Sequence, residues 1–388
     1  MIEPGIGSGS SSAAFLWGAA DRSEGVPLSF AKPQRRVAIV CGITLVLLSG
    51  CYHRRIHTPF NPGEALHAQG GSPEAYREFD YRVGPIQMDN HDLGERGPYT
   101  TKRLAFPSHG DNGQEGNLVT IQYYKSTLPG KKKLVIVLPI WGSYTYPSRK
   151  ITKGLIERFE GRVNVMNMLG EGYLLDWDAV AQATDEASFT RAARRNAERL
   201  RTAVIDIRRL LDWVETQPEI DQERIALVGF SLGAVIAGGL TNLDDRISTA
   251  VLVMGSAHPE ELLAHCPGRP GDAREAVLAR FGWTVEEYEA RMDELFGFLD
   301  PENFALRVDP SQVLMFDAHH DDCMPRTARD ALWEAMGRPE RISLLYRHKR
   351  AFLAMTPLGS NYVPKTIYNF LDRALLSSTL DSTAQSAP

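Results

Sequence analysis

Cysteine is scarce in this chain, with four in 388 residues, which excludes a disulfide-built scaffold. No apolar run reaches the ~20 residues of a comfortable membrane-spanning helix. Neither Gly-x-Gly-x-x-Gly nor Gly-x4-Gly-Lys-Ser/Thr occurs, so no nicotinamide or ATP motif is present. Charge of one sign is lacking too: the net charge is −5, and the only tight lysine run, Lys131–Lys133, precedes an apolar strand. That run reads as a solvated strand entry, and nothing points to a nucleic-acid partner. No internal repeat is visible. What is present is the composition of a globular protein, 43% hydrophobic and 23% charged, long enough to bury a large core.

The amino terminus differs in kind. Residues 1–31 are rich in Gly, Ser and Ala without periodicity and read as disordered. Lys32–Arg36 (KPQRR) then leads into VAIVCGITLVLL, Val37 to Leu48, and Ser49-Gly50-Cys51. A basic cluster, a short apolar run and a small-residue site form the layout of an export signal. The sequence LSGC resembles a bacterial lipobox, which implies acylation of Cys51 and a membrane partner reached through the lipid. Tyr52 after that cysteine implies, by the same resemblance, a cell-envelope address at the outer membrane facing the periplasm. The basic cluster lies unusually far from Met1, so translation could start downstream. With Cys41 removed and Cys51 acylated, Cys266 and Cys323 remain, a pair that permits one disulfide in an oxidising compartment. The resulting division is a leader over 1–51, a polar tether over 52–76, a single large domain over 77–378 and a disordered tail over 379–388.

Strand-like segments open with YRVGPIQM from Tyr81, TTKRLAF and NLVTIQYY, which read as an antiparallel start to a sheet. After Gly130 short apolar strands alternate with helices: 134–139, 163–168, 225–230, 248–254, 313–316 and 342–346. Continuous apolar runs of this length suit strands buried on both faces of a parallel sheet. Helical periodicity covers about Phe189 to Thr216 and about Pro364 to Leu376. The expected class is α/β, a mostly parallel sheet flanked by helices. More than fifty residues separate the strand ending near Met254 from Val313, including REAVLARFG and TVEEYEARMDELFGFL, so 258–309 reads as a helical lid insertion.

At the end of the strand IALVGF stands Gly229-Phe230-Ser231-Leu232-Gly233, with LGAVIAGGL starting a helix behind it. A strand–turn–helix context for Gly-x-Ser-x-Gly favours a nucleophilic Ser231 over a helix-capping serine. The chain resembles the α/β-hydrolase superfamily, and DWVETQPEIDQERIALVGFSLGA is especially similar to its dienelactone-hydrolase and prolyl-oligopeptidase branches. That resemblance implies the chain order Ser…Asp…His. Asp317 to Pro325 (DAHHDDCMP) looks like the Asp-x-x-Val-Pro ending of the acid loop, which assigns Asp321, with Asp317 and Asp322 as rivals. His348, just past the last strand, takes the place of the base, with Arg347 where the family usually has Gly. His319 and His320 precede the acid; with Asp321 and Asp322 they offer a metal-ligand set, but no metal or other cofactor is expected. His258 and His265 lie at the base of the insertion and could touch substrate.

The oxyanion donors implied are the backbone N–H groups of Leu232 and of Trp141, where relatives often carry His-Gly at the positions of Pro139-Ile140. The implied activity is serine hydrolysis of a small-molecule ester through an acyl-enzyme. The alternatives are a peptidase or acyltransferase using the same residues, or a non-catalytic binding lipoprotein on the same fold. The sequence leaves the oligomeric state open.

Overall fold

The computed structural model describes residues 55–66, 71–110, 117–140, 142, 145–170 and 174–376. The leader with Cys51, residue Trp141 and the tail over 379–388 therefore lie outside the described residues. Among the described residues ten strands form one sheet: β1 (Arg55–Thr58), β2 (Asp89–Glu95), β3 (Tyr99–Pro107), β4 (Leu118–Ser126), β5 (Lys132–Val137), β6 (Val163–Leu169), β7 (Ile220–Phe230), β8 (Ile247–Val253), β9 (Val313–Ala318) and β10 (Glu340–Leu344). Their order across the sheet is β1-β10-β9-β8-β7-β5-β6-β4-β3-β2. From β6 through β10 every neighbouring pair is parallel, whereas β2, β3, β4 and β6 are joined antiparallel.

The apolar runs are continuous because the sheet is covered on both sides. Side chains alternate across a strand, so Leu134 and Ile136 of β5 enter one core with Leu200, Val204, Ile207 and Leu211 of the long helix Glu186–Glu215. Val135 and Val137 enter a second core with Ile151 and Leu155 of helix Tyr146–Phe159 and Ile367 and Leu371 of helix Tyr362–Leu376. The α/β class and its parallel sheet are as the sequence implies, and all six apolar runs are strands.

Three sequence expectations differ. YRVGPIQM contains no strand; the first hairpin strand is instead the polar DNHDLGE of β2, exposed along its whole length. Gly84-Pro85 interrupts the apolar run, since proline brings no N–H to a ladder, and Val83 stays exposed. A charged, solvated edge strand discourages pairing with another chain. Part of the stretch read as a tether over 52–76 is also built into the fold. Arg55–Thr58 pairs antiparallel with β10, Arg55 opposite Leu344, and Pro73–Arg77 is a short helix. Over 258–309 stand three helices rather than two, Pro259–His265, Arg269–Phe281 and Val285–Phe296. This insertion packs on the long helix through Phe189, which meets Trp283 edge-on at 5.2 Å and lies 5.9 Å from Tyr288.

A buried ion cluster fastens the long helix to the turn before β8. Asp244, 4% exposed, accepts from Arg246 Nε and Nη2 at 2.8 and 2.7 Å and from Arg208 Nε at 3.1 Å. Arg246 reaches on to Asp212 at 2.7 Å. Burial alone would raise the Asp244 pKa, but hydrogen bonds and charge from Arg246 and Arg208 outweigh it and hold the carboxyl below its usual range. Removing one partner leaves buried charge uncompensated, so Asp244→Asn is expected to cost about 3 kcal/mol at pH 7. Because the folded pKa is depressed, this stabilisation is present above the unfolded value of about 3.9 and is lost as pH falls through the folded one. Urea unfolding of parent and variant should show the gap narrowing below about pH 4.

Candidate active site

Parallel strands end together, so loops leaving β7, β9 and β10 emerge at one edge of the sheet. Ser231 directly follows β7, Asp321 follows β9 by three residues, and His348 follows β10 by four. The structure brings the three side chains into a line. Ser231 Oγ lies 3.1 Å from His348 Nε2, and His348 Nδ1 lies 2.8 and 3.1 Å from Asp321 Oδ2 and Oδ1. A carboxylate only accepts, so the imidazole proton belongs on Nδ1, which leaves Nε2 to accept the serine hydroxyl proton.

Ser231 has φ 51° and ψ −120°, a conformation that side chains with a Cβ rarely occupy. Its backbone N–H donates to Val253 O at 2.9 Å, while its side chain makes no capping bond to the helix Leu232–Leu243 that it precedes. The serine is thus not spent as a helix cap; its hydroxyl faces the histidine. The flanking glycines are needed because backbone occupies the space of a Cβ. A Cβ on Gly229 would lie 2.2 Å from Gly233 O, and one on Gly233 would lie 2.3 Å from Pro139 O. The segment leaving β5 therefore runs directly beside the turn. Leu232 N–H, first in its helix, has no intrahelical acceptor and is available at the turn. The second expected donor, at Trp141, lies outside the described residues.

Asp321 has no solvent-exposed side-chain surface, and a buried carboxylate must find its hydrogen bonds within the protein. Besides His348 it accepts from the N–H groups of Cys323 and Met324 at 2.8 and 2.9 Å. The rival aspartates have other partners. Asp317 is buried between Arg341, whose Nε is 2.6 Å away, and Arg329 at 3.4 Å. Asp322 pairs at 3.5 Å with Arg347, the residue before the histidine. His319 and His320 are exposed and meet edge-on, with ring centres 4.8 Å apart. Among the described residues the one group with metal-ligand spacing is instead His258, Asp300 and Glu302.

Sequence reasoning missed the residues that shape the acid loop. Arg329, buried in the helix Arg326–Ala335, donates to Met324 O at 3.0 Å and His319 O at 3.4 Å, holding both ends of that loop. No local signal marks it, since its partners come from other elements. Cys266, ending the first helix of the insertion, is bonded to Cys323, so the insertion is tied covalently to the residue whose N–H meets Asp321. His265 is exposed, 3.8 Å from Glu289. His258 lies within the insertion's own carboxylates, 2.9 Å from Glu261 and 2.7 Å from Glu302.

Two outcomes follow from these contacts. Burial alone would lower the His258 pKa, but the bonds to Glu261 and Glu302 and the charge of Asp300 push it up to about 9. The stabilisation is complete below the unfolded value of about 6.5 and is lost as pH rises through the folded one. Thermal unfolding of His258→Gln should show a deficit at pH 6 that closes above pH 9. The bridge Cys266–Cys323 spans 57 residues of sequence, so the Cys266→Ser/Cys323→Ser double variant should lose roughly 4 kcal/mol in urea unfolding at pH 7, by chain entropy.

No family model matches the chain. An uncharacterized protein found in two strains of Mycobacterium tuberculosis is 32% identical over 141 residues, 36% of this chain and 31% of that protein. The matched region thus spans about a third of the length of those relatives. Among solved structures, an acetyl xylan esterase from a Paenibacillus species aligns with TM-score 0.53 and 17% identity, covering 74% of this chain and 92% of that one. Acetyl xylan esterase 1 from a Thermoanaerobacterium species aligns with TM-score 0.51 and 17% identity, covering 79% of this chain and all of that one. At such identities the likeness concerns architecture, and it agrees with the strand order, the strand–serine–helix turn and the positions of the three loops: the chain has the α/β-hydrolase fold.

Proposed function

We propose that this protein is a serine hydrolase that cleaves a small-molecule ester through an acyl-enzyme. The observation that carries this reading is the relay Ser231 Oγ–His348 Nε2–His348 Nδ1–Asp321, with distances of 3.1 and 2.8 Å, built on a serine in a left-handed turn. In the proposed reaction His348 Nε2 takes the Ser231 proton as Oγ attacks the ester carbonyl. The oxygen anion of the tetrahedral adduct is received by Leu232 N–H and, in the proposed assignment, by Trp141 N–H. The imidazolium then gives its proton to the departing alkoxide, which leaves as an alcohol. Water, deprotonated by the same nitrogen, attacks the acyl carbon; the acid departs and Ser231 regains its proton. Asp321 keeps the imidazole in the required tautomer and stabilises its charged form.

The esterase activity named for the two structural neighbours agrees with an ester rather than an amide substrate. The lipid anchor at Cys51 and the envelope location are proposed on the basic cluster, apolar run and LSGC sequence of residues 32–51.

The test is labelling of the purified protein with a fluorophosphonate, together with hydrolysis of short p-nitrophenyl esters. The parent should label and turn over substrate. Ser231→Ala should abolish labelling, and His348→Ala and Asp321→Asn should lower kcat by roughly 10³- to 10⁴-fold with smaller changes in KM. A folded parent that neither labels nor hydrolyses any ester would overturn the reading. Labelling that survives in His348→Ala at the parent rate would assign the base elsewhere.

A further inference from the structure

The geometry points to a second property, a membrane-docking surface on the sheet edge that carries Ser231 and His348, whose partner is an anionic lipid bilayer. Only the description of that edge as catalytic rests on the hydrolase reading.

The first observation is charge. Residues 341–371 contain Arg341, Arg347, Lys349, Arg350 and Lys365 and not one Asp or Glu, in a chain whose net charge is −5. Arg347, Lys349, Arg350 and Lys365 are exposed. Arg347 meets Asp322 at 3.5 Å, while Lys349 and Arg350 form no ion pair among the described residues. Cations beside an anionic leaflet are attracted within about a Debye length. The second observation is apolar surface on the same segment. Leu358 is 73% exposed and Leu353 38% exposed, on two short 3-10 turns, Phe352–Met355 and Pro357–Gly359. Phe352, Ala354 and Met355 are buried and pin the segment in place while these leucines remain in solvent. Basic residues interleaved with exposed leucines are the composition of an interfacial contact.

The third observation is where the preceding chain joins the fold. β1 runs antiparallel to β10, so its first residue, Arg55, lies opposite Leu344, at the strand end from which the His348 segment leaves. Arg55 also places its guanidinium 4.1 Å from the centre of the Tyr362 ring, just past Leu358 in sequence. The described chain therefore begins, at Arg55, beside the basic, leucine-bearing segment. Cys51 is four positions away, a reach of about 14 Å fully extended, and Leu48, the end of the apolar run, is seven away, about 25 Å. An anchor in either place keeps this edge within reach of the bilayer, and Lys349, Arg350, Leu353 and Leu358 are the groups that would meet it.

The experiment uses the full chain reconstituted into vesicles of phosphatidylcholine alone or with phosphatidylglycerol, both with brominated acyl chains that quench tryptophan. Leu358→Trp reports on the proposed surface. Leu128→Trp, in the turn before β5 at the other end of the parallel strands, is the exposed control. With phosphatidylglycerol present, the added fluorescence of Leu358→Trp should be quenched roughly twofold or more beyond that of Leu128→Trp, and Lys349→Glu/Arg350→Glu should remove the excess. Equal quenching at the two positions, greater quenching at 128, or failure to associate with anionic vesicles would overturn the proposal. So would loss of the excess together with a doubled particle mass, which would assign the patch to a second copy of the chain. Fluorophosphonate labelling of each variant separates the two readings. Quenching without labelling leaves docking standing and removes the hydrolase; labelling without quenching does the reverse.

Discussion

The site depends on a steric constraint at the end of β7. Between Phe230 and Leu232 the chain must reverse from strand to helix while passing beside the backbone that leaves β5, and Pro139 O lies where a Cβ on Gly233 would stand. Glycine at 229 and 233 admits that approach, and Ser231 absorbs the remaining distortion at φ 51°. An unstrained serine could have capped the helix with its own side chain. Here the hydroxyl is turned away from the helix and toward His348, so the backbone conformation and the availability of the hydroxyl have one cause.

The histidine and the acid are placed by the sheet rather than by each other. β8, β9 and β10 continue the parallel register from β7, which brings the ends of β7, β9 and β10 to one side whatever the intervening loops contain. Loop chemistry then supplies the final positioning. Arg329 ties the carbonyls on either side of Asp321, and two backbone N–H groups fix its carboxylate from within the loop. The bond Cys266–Cys323 extends that framework to the helical insertion, so the insertion and the acid loop have a shared covalent restraint.

This division explains what was legible in the sequence. The parallel strands could be read because burial on both faces demands continuous apolar runs, and the serine turn because its glycines are required at fixed spacing. YRVGPIQM is apolar enough to resemble a strand, yet Gly84-Pro85 denies it a ladder, while β2 is polar and gives no hydrophobic signal. β1 was equally hidden. Its RIHT sequence has four residues, three of them exposed, and its place in the sheet comes from pairing with β10, some 280 residues later. Pairing energy over such a separation leaves no local pattern to read.

Three aspartates stand within six residues, and their surroundings rather than their spacing separate them. By chemistry Asp317, Asp321 and Asp322 are identical. Asp317 is buried, which alone could mark it as the functional acid, yet its carboxylate is held between Arg329 and Arg341 and is unavailable to an imidazole. Asp322 reaches solvent and pairs with Arg347, the residue before the histidine. Only Asp321 combines burial with an imidazole partner. Arg329 meets Asp317 and also donates to Met324 O and His319 O, so the aspartate that has no imidazole partner shares an arginine with the loop of the one that has.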